Sequence, residues 1–410
     1  DSIAGAAMTP PAPSARRILV WMCVLIAVNQ LGFGSIVPTI ALYARSFGVA
    51  QSAIGAAIAV YGLARFLVAM PTGQLADRAG RRATLAAGGL VTAGGNLLCA
   101  HAPDFATFIA ARFVAGAGAA MVLIAGQIVL ADITTPARRG RVMAIYQGVF
   151  TFAVGVGPLP GGLIAERFGL HAPFLVYAVA GTLVALIGGI RIPETRGFGP
   201  AQAAAVAAPP AAFLGQVRAL TRHAGFMLAS AISFMNAVAR TGGLFNVVPV
   251  LAQDRLALGA DRIGVGLALA SVVGLVLVYP AGVVVDRYGR KAVIVPATVL
   301  SGLSMTVFLL APSYAWFLVG CVVWSIAVGV SGAAPAAYAA DVAPPGTNAS
   351  AMSAFRMLSD MGYVVGPLAL GAATDLVGAD AALGATAVLL VAVGLLFAHR
   401  APESYRPGPR

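Results

Sequence analysis

The sequence predicts an all-α membrane protein in which twelve transmembrane helices form two pseudo-symmetric six-helix bundles. Three observations carry this expectation. Apolar residues make up 60% of the chain and charged residues 10%, with a mean hydropathy of +0.90, whereas soluble domains carry about 25% charge. Apolar stretches long enough to cross a hydrocarbon core of ~30 Å recur along the whole chain. Finally, the chain repeats itself. Gly73-Gln74-Leu75-Ala76-Asp77-Arg78-Ala79-Gly80-Arg81-Arg82 is matched, 209 residues on, by Gly282-Val283-Val284-Val285-Asp286-Arg287-Tyr288-Gly289-Arg290-Lys291. The same step carries Pro71 onto Pro280, Asp132 onto Asp341, Gly157-Pro158 onto Gly366-Pro367, Gly162 onto Gly371, Glu166 onto Asp375 and Gly169 onto Gly378. One register held across half a chain marks a tandem duplication. Parallel apolar halves of this size point to the architecture of secondary transporters.

Taken in order, residues 1–17 are expected to be disordered, with Asp1 to Ala7, ahead of Met8, read as an expression remnant. The first span, 18–43, is too long for a signal-peptide core, so no cleavable leader is expected. Spans over 53–75, 83–101, 105–131, 142–165 and 172–192 complete an N-terminal bundle of 18–192. Residues 193–223 contain an Ala-rich run with Pro209-Pro210 and read as a cytoplasmic linker. Spans over 224–251, 262–285, 292–311, 313–340, 348–374 and 381–399 form a C-terminal bundle of 224–400, and 401–410 is a tail. The 49 glycines suit helices packed backbone to backbone in lipid.

The net charge of +12 raises nucleic acid as a partner, and the placement of the basic residues argues against it. Arg16, Arg17, Arg78, Arg81, Arg82, Arg138, Arg139, Arg141, Arg191, Arg196, Arg218, Arg222, Arg287, Arg290, Lys291, Arg400, Arg406 and Arg410 fall on one side of the spans; Arg45, Arg167, Arg255 and Arg262 fall on the other. This bias places both termini in the cytoplasm. A bacterial inner membrane is the expected location, with the arginines flanking the linker against anionic lipid headgroups. Cys23, Cys99 and Cys321 have no paired spacing, so neither a disulfide nor a metal site is expected. His101, His171, His223 and His399 lie near span ends and indicate no metal centre or proton relay.

The segment Gly73 to Arg82 is the most specific signal. Gly80 permits a tight turn between spans, and Asp77 can accept hydrogen bonds from a helix N-terminus or an arginine. In this segment the chain resembles the major facilitator superfamily, whose loop between helices two and three has this pattern, with a weaker copy between helices eight and nine. The resemblance extends over essentially the whole chain and implies the major facilitator fold. It also implies a latch on the cytoplasmic side, formed by Asp77, Arg78, Gly80, Arg81 and Arg82 with Asp132, and repeated at Asp286 and Arg290. Asp341 lacks the arginines that follow Asp132, so the first-half latch is expected to be the stronger. Without the family role, the loop would be a basic segment that only enforces topology.

Arg112, in Arg112-Phe113-Val114-Ala115-Gly116, resembles the helix-four motif that proton-coupled members link to proton exchange; the alternative is a structural pair joining two helices. A buried guanidinium at membrane depth costs ~2.5–3.5 kcal/mol on insertion scales and calls for a cavity or a partner. Gly157-Pro158-Leu159-Pro160-Gly161-Gly162 resembles the tail of the antiporter motif, although ordinary Gly/Pro bending of a helix reads equally from composition. Asp360 is the one acid near mid-membrane. Burial would raise its pKa and suit reversible protonation, while Arg356 one turn away would hold it ionised. A proton or substrate site and a structural ion pair therefore both stand. Its repeat mates on span five are Thr151, for Asp360, and Gln147, for Arg356.

Candidate cavity residues are Asn29, Gln30, Arg65, Arg240, Asn236, Asn246 and Gln147, with Gly242-Gly243 marking a helix break able to line a cavity. Tyr61, Phe66, Phe245 and Trp324 read as packing before ligand contacts. A P-loop is absent, which excludes ATP-driven pumping, and no catalytic constellation is present. The expected function is proton-coupled export of a small organic molecule by a monomer. The proton gradient supplies the energy, and no cofactor or metal is expected. The alternative is an organic-anion transporter whose cavity is made electropositive by Arg65, Arg112, Arg240 and Arg356. A receptor or scaffold without transport is a third class.

Overall fold

The computed structural model describes residues 15–134, 136–196, 220, 223–331, 334–342 and 348–403, and among these all regular structure is helical. Ten helices are long and apolar enough to cross a membrane. One of them, Ala354–Arg400, turns at Gly378 into two spans. A further stretch, 224–256, is helical in three joined pieces. Each of the twelve expected spans thus has a helical counterpart, in two pseudo-symmetric bundles. The residues of the linker from 197 to 219, the first fourteen residues and the last seven lie outside the described residues.

Departures from straight α-helix follow local chemistry. The first span ends at Ile36, short of the expected 43, because Pro38 follows; a short helix, Ile40–Arg45, then continues the chain. The fifth span divides into Pro136–Val156 and Pro158–Phe168, since Pro158 has no N–H to donate. In the seventh, Ala224–Val238 passes into a π-helix at Ala239–Val247 and returns to α at Val248–Leu256. Sharp turns follow the repeat: Gly80 and its mate Gly289 have φ of +95° and +94°, and Gly169 and Gly378 have +92° and +88°. Only glycine adopts such angles without steric cost, and the same two turns recur in each half.

An even number of spans brings both chain ends to one face, here called the terminal face. There Arg191 stacks over Trp21, and Lys291 donates to the Ala401 carbonyl. At the far face, an aromatic cluster ties the first half together. Phe108 packs edge-on against Tyr43 at 5.3 Å and Phe174 at 5.7 Å, pairs worth about 0.5–1.5 kcal/mol each beyond their area. Phe317, the mate of Phe108, packs on Phe308 at 5.7 Å in the second half. The halves meet along two seams, span two against span eleven and span five against span eight.

Candidate functional site

The seams close at the far face, and each is the 209-residue image of the other. In one, Gly55 on span two stands against the Pro367 carbonyl, and a Cβ on Gly371 would lie 2.6 Å from the Gln51 carbonyl oxygen. In the other, Gly264 stands against the Pro158 carbonyl and Gly162 against that of Ala260. The Gly157-Pro158-x-x-Gly161-Gly162 pattern is thereby resolved into two faces of one helix. Gly157 and Gly161 pack on Gly34 and Ser35 of span one in their own half, while Pro158 and Gly162 meet span eight of the other. Four-residue spacing places each pair on one stripe.

Polar groups reinforce the far-face closure. Asp375, at the end of span eleven, accepts from the backbone N–H groups of Gln51 and Ser52 at 2.9 and 2.8 Å, a carboxylate at a helix N-terminus. Its mate Glu166 lies beside Gly259 and Asp261 at the start of span eight. The Gln51 side chain donates to Asn246 Oδ1 at 2.8 Å, and Asn246 donates to the Pro367 carbonyl at 3.2 Å. Arg45 pairs with Asp254 across the halves at 2.6 Å.

This corrects several expectations about the cavity. Asn246 is fully buried in the closure rather than lining a cavity, because the π-helical stretch delivers it to Gln51. The Gly242-Gly243 break is buried too: Gly242 packs against the backbone of Gly366 within its own half. Asn29 and Gln30 are also buried, the Asn29 amide donating to Gln30 Oε1 at 2.8 Å, so they belong to the bundle interior in this state. Arg65, Asn236 and Arg240 are half-buried, the last with its guanidinium 5.6 Å from the Phe245 ring centre, and Gln147 is exposed.

Arg112 is buried in the first half. Its Nε donates to the Ala57 carbonyl at 3.2 Å and its guanidinium lies 4.4 Å from the Tyr61 ring centre, while Nη1 has no partner. Among the described residues no carboxylate pairs with it. It joins span four to span two through a carbonyl and a π-face, with Tyr61 bonded in turn to Tyr177 at 3.2 Å. Tyr61 therefore does more than pack.

At the terminal face, Arg81 is the hub. It pairs through Nε with Asp132 and through Nη1 with Asp77, each at 3.0 Å, and donates to the Ala76 carbonyl. Two linker residues that sequence reasoning passed over complete the network. Thr195 donates to Asp132 at 2.9 Å, and Glu194 accepts the backbone N–H groups of Arg81, Arg82 and Arg196. Burial works against the Glu194 charge, but those N–H groups and the Arg81 guanidinium outweigh it and hold the carboxyl below its usual range. Arg82 donates to the Gly189 carbonyl, and Arg196 to that of Arg78. The repeat preserves the central pair as Arg290 with Asp341 at 3.1 Å, in a more open setting. Each of these partners belongs to the same half as the residue it holds. The side chains of Asp286, Arg138, Arg139 and Arg141 lie outside the described residues.

Asp360 is not buried, contrary to the expectation of a desolvated carboxyl. Its side chain is 52% exposed and that of Arg356 75%, the two joined at 3.3 Å. Residues 360, 364, 367 and 371 form one stripe of span eleven, and Val364, Pro367 and Gly371 on it touch span two. Asp360 therefore lies one turn beyond the Val364–Gly62 contact, on the side of span eleven that faces the other half. Thr151 and Gln147, the repeat mates, are exposed likewise.

The match to known proteins runs the length of the chain. The Major Facilitator Superfamily family model matches residues 22–266 and 226–410. An MFS-type transporter of Methanocaldococcus jannaschii is 23% identical over 370 residues, covering 90% of this chain and 94% of that protein. The class C tetracycline resistance protein of Escherichia coli is 28% identical over 274 residues, 66% of this chain and 68% of its own. A crystal structure of a bacterial homolog of the human lysosomal transporter Spinster superposes with a TM-score of 0.75 at 15% identity, covering 95% of this chain and 97% of that one. With two internally repeated bundles, paired glycine seams and a family match across both halves, the chain belongs to the Major Facilitator Superfamily of membrane transporters.

Proposed function

We propose that the protein exports a small organic molecule from a bacterial cytoplasm in exchange for protons, by alternating access. The observation that carries this reading is the Asp360–Arg356 pair, a titratable group standing in the opening between two halves that are sealed at the far face. With both termini cytoplasmic, as the arginine distribution favours, that opening faces the cytoplasm, where an exporter loads. Rocking the halves would part the glycine seams and expose Asp360 to the other side. One proton moving down 100 mV supplies about 2.3 kcal/mol, enough for a roughly fiftyfold gradient. The tetracycline resistance protein among the relatives supports an exported, drug-like substrate. The transporter works as a monomer without a bound cofactor on this reading.

Proteoliposomes with an imposed pH gradient test it. Wild-type protein is expected to drive uptake of ethidium or tetracycline, and Asp360→Asn to abolish the pH-driven component. Unchanged pH-driven uptake by Asp360→Asn would remove Asp360 from coupling. A second reading, organic-anion transport, is favoured by one observation: Arg65, Arg112 and Arg240 have no carboxylate partner among the described residues. Thermal-shift screening decides between them, since cations and neutral drugs stabilise the protein under the first reading and anions under the second.

A further inference from the structure

The Asp360–Arg356 pair has no structural task in the described structure. Both residues lie on one helix, one turn apart, so the pair ties no helix to another, and exposed pairs of this spacing are weak. The stripe shared with Val364, Pro367 and Gly371 turns it toward span two of the other half. Its surroundings on that wall are apolar. Met357 and Met361, each one residue after a member of the pair and so together on one flank of it, are each 49% exposed. Across the seam, Gln51 faces Gly371, Gly55 faces Pro367 and Gly62 faces Val364. One more turn of this antiparallel register brings Phe66, itself exposed, level with Asp360. A facing acid and base close together, framed by two flexible thioethers and an aromatic ring, make a recognition site that is polar only at its centre. The opposite wall offers neutral Gln147 and Thr151, so at these equivalent positions only one seam carries charge.

We infer that this wall is a substrate subsite for amphipathic zwitterions, with a ligand ammonium held by Asp360, a ligand carboxylate by Arg356, and an apolar body against Met357, Met361 and Phe66. The inference rests on the transport reading above and narrows its substrate class. A ligand bearing both charges replaces the weak internal pair without leaving either group unpaired. A ligand bearing one charge strands the other residue. Protonation of Asp360 would remove the ammonium anchor, so proton and substrate would compete for one carboxylate.

The test is calorimetric titration of the full chain in detergent, with no gradient, using phenylalanine, its decarboxylated cation phenethylamine and its deaminated anion hydrocinnamate. Wild-type protein is expected to bind phenylalanine about tenfold or more tightly than either single-charge analogue. Asp360→Asn should weaken phenylalanine and phenethylamine but spare hydrocinnamate, and Arg356→Gln should do the reverse. The double variant Arg356→Asp with Asp360→Arg keeps a pair at the same spacing and should restore phenylalanine binding, which also guards against misfolding of the single variants. Equal affinities for all three ligands, equal losses in both variants, or no recovery in the double would each overturn the proposal. Titration reads the site alone. Selective binding without pH-driven movement in vesicles would leave the subsite and remove proton export; movement without selectivity would remove only the subsite.

Discussion

Substituting Gly371 by Ala tests whether the glycine seams hold the far face shut. The added Cβ would lie 2.6 Å from the Gln51 carbonyl oxygen and 2.8 Å from Ser52 Cα, both backbone atoms, whereas ordinary contact begins at 3.4 Å. Rotamer adjustment cannot relieve a clash with backbone, so the helices must separate by about 0.8 Å, the difference between 2.6 and 3.4 Å. The same movement stretches the Gln51 N–H contact to Asp375 from 2.9 Å to about 3.7 Å, beyond hydrogen-bonding range. Overpacking costs ~1–3 kcal/mol and loss of a helix N-terminal carboxylate ~1 kcal/mol. Together these bias the closed far face by ~2–4 kcal/mol, roughly thirtyfold to several hundredfold in population. The helix-propensity gain of Gly→Ala acts on both states and cancels.

Spin labels at His101 and Ser313, exposed far-face positions in opposite halves, report the change by pulsed EPR once Cys23, Cys99 and Cys321 are replaced. Gly371→Ala is expected to move the distance distribution towards longer values, and Gly162→Ala to do the same through the other seam. Two controls make the reasoning refutable. At Gly62, in the same seam, the nearest atom to an added Cβ is at 3.5 Å, and at Gly94 none lies within 4 Å. If Gly62→Ala or Gly94→Ala shifts the distribution as far as Gly371→Ala, or if Gly371→Ala shifts nothing, the steric argument fails.

Asp132→Asn breaks the more enclosed pair with Arg81 and should lower stability by ~3 kcal/mol, while Asp341→Asn in the more open copy should cost under ~1 kcal/mol, compared by thermal unfolding in detergent. The Glu194 carboxyl is held below its ordinary value of 4.5, so the folded state prefers it ionised. Its stabilising contribution is complete above that value and is lost as pH falls through the lowered folded value; the melting difference between wild type and Glu194→Gln should therefore be present at neutral pH and vanish in acid. Arg45→Ala removes an exposed cross-half pair worth at most ~1 kcal/mol, so the same EPR distribution should shift by no more than about fivefold, and not at all in high salt.

The duplication was legible because one register carries both sequence and contacts. The positive-φ turns at Gly80 and Gly289, and at Gly169 and Gly378, appear in the sequence as glycines at the 209-residue step. The seams were half-legible. Gly162 with Gly371 and Glu166 with Asp375 stand out as mates, but nothing in a linear chain says that the partner of each lies in the opposite half. Gly161, whose mate is Leu370, shows why the motif looks stronger in one half: Gly161 meets the backbone of Ser35 of span one, while at Gly243 the side chains of Met305, Leu383 and Leu370 fill the space. Burial was the least legible property. In a soluble chain a polar residue between apolar ones most often marks the solvent face; in a membrane bundle it marks either the bundle interior or a water-filled opening. Asn29 and Gln30 took the first course and Asp360 the second. Glu194 was hidden by its setting, a linker whose composition gives no sign of the three N–H groups it captures.

The two faces are built of different chemistry, and this divides the labour within the Gly73–Arg82 loop. The far face relies mainly on glycine against carbonyl, reinforced by Asp375 on the Gln51 and Ser52 N–H groups and by the exposed Arg45–Asp254 pair. The terminal face is built of charge, and exposure separates its members. Arg81 is 6% exposed and Asp132 10%, so their pair belongs to the framework of the first half. Asp77, bonded to the same guanidinium, keeps 66% of its side chain exposed, which on the proposed alternating-access reading makes it the member that meets the opposite half when the opening closes. Asp77→Asn should thus leave the melting temperature close to wild type, since an exposed ion pair contributes under ~1 kcal/mol. It should nevertheless deplete the terminal-face-closed population in EPR measurements across that face. Asp132→Asn should do the opposite, lowering stability first. Equal losses of melting temperature in the two variants would show that Asp77 is framework as well, and that the closing contact lies elsewhere in the loop.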